Sequence, residues 1–198
     1  MIEVEKKFVF DEGSAKRITE GAEFLGEETF TDTYYDTADC TLIKNNIWFR
    51  SRDDKFELKV FIEGATDRSI DRQEEIEDEM KIREKLDLPL QGTMTEILKN
   101  ADYSAFCICT TVRKKYRKEG FTIVFDSAEF DDGFSRKIGE VELMVNNESE
   151  MKDASDKIAM FALAHNLVSP ERGKILEYLK EKRPTYYQAF KNMIALKQ

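Results

Sequence analysis

The stretch MIEVEKKFVF (residues 1–10) carries Glu3, Glu5 and Lys7 one residue apart, with Ile2, Val4 and Phe8 between or beside them. A β-strand repeats every two residues. As a strand, this segment therefore has a charged face and an apolar face. The same test applied along the chain gives the same answer. Trp48, Arg50 and Arg52 share a face, with Ile47 and Phe49 opposite. Glu57 and Lys59 lie opposite Phe56, Leu58 and Val60, and Glu75 shares a face with Glu77. Arg113, Lys115 and Arg117 share a face, and Glu140 and Glu142 lie opposite Val141, Leu143 and Val145. One such strand is satisfied by water on its polar side. Six strands with faces of Glu, Lys and Arg are a different matter, because Ser, Thr and Gln would serve a solvated face equally well.

The connections decide the architecture. IWFRSR and KFELKVF read as two strands with Asp53-Asp54 as a hairpin turn. A first strand is expected over Ile2–Phe10 and a helix over Ser14–Leu25. β-Rich segments follow in EETFTDTYYDT and RQEEIED, and a helical pattern over Asp78–Asn100 is interrupted at Pro89. Gly120 and Asp131–Gly133 separate three more strands, FCICTTVRKKYR, FTIVFDSAEF and SRKIGEVELMV. After Val145 the pattern turns helical, with Asn147 and Glu150 at capping-box spacing. Two last helices are expected over Gly173–Lys182 and Pro184–Leu196. The sum is an α+β fold in one domain over 1–198: eight antiparallel strands closed into a barrel, with helices packed outside on the apolar faces. The charged faces are then expected to point inward.

Composition excludes several classes. The chain has 198 residues with a net charge of −9, which argues against broad nucleic-acid binding. No apolar run approaches a membrane span. Three cysteines and one histidine make a zinc site unlikely to be the organising feature, and Cys107 and Cys109 are too close for an easy disulfide. A reduced, cytoplasmic, soluble monomer is expected. A cavity lined by both charge signs suits a metal-bound polyphosphate: Arg and Lys take phosphate oxygens, and clustered carboxylates take a hard cation such as Mg²⁺.

EVEKK resembles the ExExK signature of the CYTH superfamily, the triphosphate tunnel metalloenzymes. The likeness continues in order through TYYDT, WFRSR, FELK, TTVRKKYR, IGEVE and GKILEYL. The animal thiamine triphosphatases of that superfamily resemble this chain in DTYYDT, in the tryptophan before the arginine pair, in GEVE and in the late RP-x-x-Y. The resemblance implies that Glu3 and Glu5, with Glu140 and Glu142, bind Mg²⁺, with Mn²⁺ as an alternative. It implies that Arg50, Arg52, Lys59, Arg113 and Lys174 hold a small-molecule triphosphate. It makes Lys7 and Tyr34 a catalytic pair that activates water, for which a lowered lysine pKa would serve. Trp48 is expected to stack on an organic cation, so thiamine triphosphate is favoured as substrate and inorganic tripolyphosphate is the alternative. A non-catalytic polyphosphate-binding module, adenylate cyclisation and RNA 5′-triphosphate removal are the other readings. Arg72 and Val124 depart from the mammalian members, which carry a histidine and an acid there.

Overall fold

The computed structural model describes residues 1–62 and 70–196. Its strands are β1 (Ile2–Phe8), β2 (Glu23–Thr37), β3 (Ile47–Arg52), β4 (Lys55–Phe61), β5 (Ile70–Ile76), β6 (Tyr103–Lys118), β7 (Phe121–Phe130) and β8 (Ser135–Val145). They form a closed barrel in the order β1-β5-β4-β3-β2-β6-β7-β8. The helices are α1 (Glu12–Thr19), α2 (Thr41–Lys44), α3 (Glu79–Lys85), α4 (Met94–Asn100), α5 (Met151–Ala164), α6 (Lys174–Lys182) and α7 (Pro184–Leu196). No described helix is long and apolar enough to cross a membrane. By internal packing the chain forms two units. One comprises Met1–Phe30, Phe61–Glu74 and Thr110–Lys174; the other comprises Thr31–Val60, Glu75–Cys109 and Ile175–Gln198.

In the first unit β1 pairs with β8 and β5, and β8 pairs with β7, all antiparallel. The apolar faces of these strands meet α5. Val4, Phe8, Ile123, Phe125 and Val141 form one buried cluster with Ala154, Ile158 and Phe161 of the helix. That packing leaves Glu3, Glu5, Lys7, Glu140 and Glu142 on the opposite face. Lys6 and Arg72 fall on the helix side, where the Arg72 guanidinium donates to the Ser155 hydroxyl at 2.8 and 3.0 Å. Phe8 sits directly across from Gly139, and its ring occupies the space a side chain there would need.

In the second unit β3 pairs with β2 and β4. Phe49 and Leu58 pack beneath Ile82 of α3 and Met94, Ile97 and Leu98 of α4. The hairpin between β3 and β4 turns on Asp53 and Asp54, both at positive φ (45° and 68°), as a tight two-residue connection requires. Asp36, the acid of TYYDT, is structural. Its buried carboxylate accepts from the backbone N–H groups of Thr37, Leu42 and Ile43 at 2.8–3.0 Å and so organises the short helix α2.

Two expectations are corrected. The first helix ends at Thr19 rather than Leu25. Asp11 and Ser14 form the capping box that starts it, and Gly21 at φ 72° turns the chain into β2. Ala22 and Leu25 match a helical period but belong to the approach to a long strand. The helix α2 carries no sequence signal and is set by Asp36. Asn147 caps a 3₁₀ turn over Glu148–Glu150, and α5 begins after it. The remaining strands and helices stand within a few residues of expectation.

Gly139→Ala will test the register contact. A Cβ at this position would lie within 3 Å of three ring carbons of Phe8. The substitution is expected to destabilise the protein by about 1–3 kcal/mol in urea unfolding. Combining it with Phe8→Leu should recover part of that loss relative to the sum of the two single changes.

Candidate active site

In the first unit β1 and β8 present their carboxylates to one another. Glu5 lies opposite Glu142, and Lys7 opposite Glu140. Oxygens of Glu3, Glu5 and Glu142 lie within 4.8 Å of each other. Burial raises the carboxyl of Glu142 well above its usual range, and repulsion from Glu3 and Glu140 adds to it. Glu140 is raised by burial and by Glu5 and Asp126. Such crowding of like charges out of water is costly unless a cation joins them. All the donors are hard oxygens, which suits Mg²⁺ or Mn²⁺ and excludes a preference for soft metals. Gln73 of β5 donates to Glu3 and holds it.

Glu140 differs from the three. It accepts from Arg113 at 3.3 Å and lies one pair along the ladder. The centre of this second cluster is Asp126, with no exposed surface. Arg113 grips it in bidentate fashion, Nε and Nη2 each 2.7 Å from a carboxylate oxygen. Lys174 Nζ lies 2.7 Å from Oδ2 and 3.4 Å from the Thr111 hydroxyl. These donors hold the Asp126 carboxyl well below the usual carboxylate range, although burial opposes them. Lys174 reaches this place because Gly173 lets the chain pass Lys7; a Cβ at Gly173 would lie 3.3 Å from the lysine stem. Val124 is fully buried opposite Glu140, so its position adds no charge.

Lys7 bonds Glu5 and, at 2.7 Å, Asp71 of β5. Burial works to lower its pKa, but Glu5, Asp71 and Glu140 outweigh this and the net shift is upward. The lowered value considered from the sequence is therefore not what its surroundings produce. Lys115, two residues beyond Arg113, does not join the cluster. It is 39% exposed and pairs with Glu28 at 2.6 Å.

In the second unit Asp32 plays the part Asp126 plays in the first. It is fully buried. It accepts from Arg52 Nε at 2.8 Å and Nη2 at 3.0 Å, and from Arg50 Nη1 at 3.4 Å. Arg50 also donates to Glu57 at 2.6 Å and to the Tyr34 hydroxyl at 3.2 Å. Its buried Nε has no acceptor. Lys59 pairs with Glu75 and lies 4.0 Å from Glu57. Burial raises the Tyr34 phenol well above its usual value; Arg50 opposes the shift, and Asp32, Cys109 and Cys107 add to it. Tyr34 is thus a neutral hydroxyl. Trp48 stands two residues before Arg50 on the same face, with the edge of Tyr34 at 6.3 Å and 90°. The cysteines are buried and form no disulfide, and His165 packs on the Phe161 ring at 4.3 Å.

The sequence reading missed Asp32, Asp71 and Gln73 as members of these groups. Asp32 alternates with Tyr34 in FTDTYYDT, so the period-two test could have found it. Asp71 and Gln73 are set by the register of β5 on β1, which the sequence does not print.

Comparisons with known proteins show which family the chain belongs to. The CYTH domain pattern matches residues 1–178. A thiamine-triphosphatase of Macaca fascicularis is 27% identical over 215 residues, covering 100% of this chain and 93% of that protein. The Homo sapiens thiamine-triphosphatase is 28% identical over 207 residues, covering 95% and 88%. A solved structure from Pyrococcus horikoshii shares the fold at a TM-score of 0.59 and 24% identity, covering 91% of this chain and 99% of that one.

Asp126→Asn keeps the shape of the side chain and removes its charge. Leaving Arg113 and Lys174 without their anion is expected to cost about 3–5 kcal/mol. The native Asp126 pKa lies below its unfolded value, so its stabilisation is complete above the unfolded pKa and fades as pH falls through it towards the native one. Urea unfolding between pH 7 and pH 3 should therefore show a steeper loss in the wild type than in Asp126→Asn.

Proposed function

Because the chain belongs to the CYTH domain family, we propose that it is a divalent-metal-dependent hydrolase of a small triphosphate, with thiamine triphosphate favoured. The observation that carries this reading is the convergence of Glu3, Glu5 and Glu142, in a chain that also sets Arg50, Arg52, Lys59 and Arg113 on the charged faces of its strands and Lys174 at the start of α6. Glu3, Glu5 and Glu142, with Glu140 beside them, would hold Mg²⁺, or Mn²⁺ in its place. A cation so held neutralises phosphate charge and makes a bound water more acidic. The arginines and lysines bind phosphate oxygens and stabilise the charge that shifts to the leaving group. In the reaction, water oxygen bonds to the terminal phosphorus, the bridging P–O bond breaks, and a diphosphate leaves with orthophosphate as the second product. The water proton passes to solvent or to a phosphate oxygen.

Lys7 and Tyr34 are assigned to the attacking water. Glu5, Asp71 and Glu140 hold Lys7 protonated, so its part is to orient the water and offset charge rather than to accept a proton. Tyr34, a neutral phenol, serves as a hydrogen-bonding group. The buried Nε–H of Arg50, which has no acceptor, is a donor ready for a phosphate oxygen.

Inorganic tripolyphosphate is the second reading, because the cationic set recognises phosphates and asks nothing of an organic group. Trp48 favours the thiamine ester: a half-buried aromatic ring beside the arginine pair can take a thiazolium cation.

Phosphate release from thiamine triphosphate, tripolyphosphate and ATP should be measured with Mg²⁺ and with excess chelator. Turnover of at least one of the first two, lost in chelator, is expected; no turnover of any of the three overturns the reading. Glu142→Gln should lower Mg²⁺ affinity about tenfold or more, read by calorimetric titration. Trp48→Ala is expected to lower kcat/KM about tenfold for thiamine triphosphate, with a smaller effect on tripolyphosphate. Equal effects would assign the tryptophan to structure.

A further inference from the structure

We propose that Phe190, on the C-terminal helix α7, is a specificity-determining residue that forms with Trp48 an aromatic corner for a flat organic cation carried on the triphosphate. The inference rests on the reading of the chain as a triphosphatase and names the part of it that selects the organic group. Trp48 and Phe190 are both half-buried. Their ring centroids are 6.2 Å apart and their planes meet at 55°.

The corner is built rather than incidental. Tyr34 presents its edge to Trp48 at 6.3 Å and 90°, and the indole N–H reaches the Asn46 side-chain oxygen at 3.4 Å. Tyr34 also touches Phe106, at 6.2 Å. Phe106 in turn stacks on Tyr186 of α7, at 4.5 Å and 19°. Tyr186 and Phe190 are four residues apart and share a helix face. One helix therefore holds both ends of a run of five rings whose middle members come from strands. Buried Ala189 and Met193 anchor α7 beside them.

The chemistry of the ligand follows. Trp48 shares a strand face with Arg50, two residues and about 7 Å away. A molecule with phosphate on Arg50 would thus bring its next group to the indole. Aromatic faces carry negative potential at their centres, and two such faces converging at an angle favour a planar cation over a neutral or anionic group. Inorganic polyphosphate has nothing to place there. A nucleoside triphosphate would place a neutral sugar and base there, which gains stacking without the cationic component.

The protein contains one tryptophan, so its fluorescence reports this corner directly. Thiamine monophosphate is the probe, with inorganic phosphate as the control lacking a ring. Thiamine monophosphate is expected to quench Trp48 emission saturably, and inorganic phosphate is not. Phe190→Leu, which keeps volume and removes the ring, should weaken the quenching titration about tenfold, whereas Phe190→Tyr should stay near wild type. In turnover, Phe190→Leu should lower the ratio of kcat/KM for thiamine triphosphate over tripolyphosphate by a similar factor. A thiamine monophosphate affinity and a substrate ratio both unchanged in Phe190→Leu overturn the proposal, as does equal quenching by inorganic phosphate. If the wild type hydrolyses no triphosphate, the triphosphatase reading falls, and the quenching titrations still decide whether the aromatic corner binds the cation.

Discussion

The ring of Phe8 against the bare backbone of Gly139 fixes how β1 lies on β8. The carboxylate cluster of the first unit depends on that register. It brings Glu5 opposite Glu142 and Lys7 opposite Glu140. A slip of one residue would turn every side chain of β1 to the other face, burying Glu3 and Glu5 under α5 and exposing Val4 and Phe8. The glycine of GEVE is thus a consequence of packing on the helix side, yet it determines which carboxylates meet on the charged side. Core and chemistry are read from the two faces of the same strand.

The carboxylate group formed by that register is not made for stability. Glu3, Glu5 and Glu142 crowd together away from water, and burial with mutual repulsion drives the Glu142 carboxyl upward. A fold selected only for stability would place apolar groups or paired charges there. The remaining charges in this unit show that the chain can pair charges when pairing is what the position requires. Asp126 is satisfied by Arg113 on both oxygens and by Lys174 on one. Within this face the acids are held differently: Asp126 takes two cations, Glu5 takes Lys7, Glu3 takes the Gln73 amide, and Glu142 is crowded by Glu3 and Glu140.

Much of this was legible in the sequence because strands print their faces. EVEKK, WFRSR, FELK and IGEVE each gave the correct partition of charged and apolar sides, and the Asp53-Asp54 and Asp131–Gly133 turns gave the connections. What was not legible has physical reasons. The first helix was read too long because Ala22 and Leu25 happen to match a helical period, while the conformation at Gly21 that ends the run is a backbone property. Asp36 looked like part of a motif and turned out to cap α2. One partner of Lys7, Asp71, came from β5, more than sixty positions away, and register across strands cannot be counted along a chain. The upward shift of its pKa comes first from Glu5, two residues away on the same face, with Asp71 and Glu140 adding to it, so the sequence showed only part of the cause.

The two buried aspartates extend this argument. In each unit a carboxylate with no exposed surface holds two cationic side chains at once: Asp32 takes Arg50 and Arg52, and Asp126 takes Arg113 and Lys174. Long cationic side chains lose rotamer freedom when they bind an anion. An internal anion that already restrains them lowers the part of that loss that falls on ligand binding. The restraint is incomplete in a useful way: Arg50 keeps a buried N–H without an acceptor, and a planar guanidinium has five donors to distribute. Replacing either aspartate by a neutral residue would free more donors for phosphate but would let the side chains wander. The fold thus trades some raw attraction for a fixed placement of its cations, and under the proposed function that fixed placement is what stabilising a transferring phosphoryl group would require.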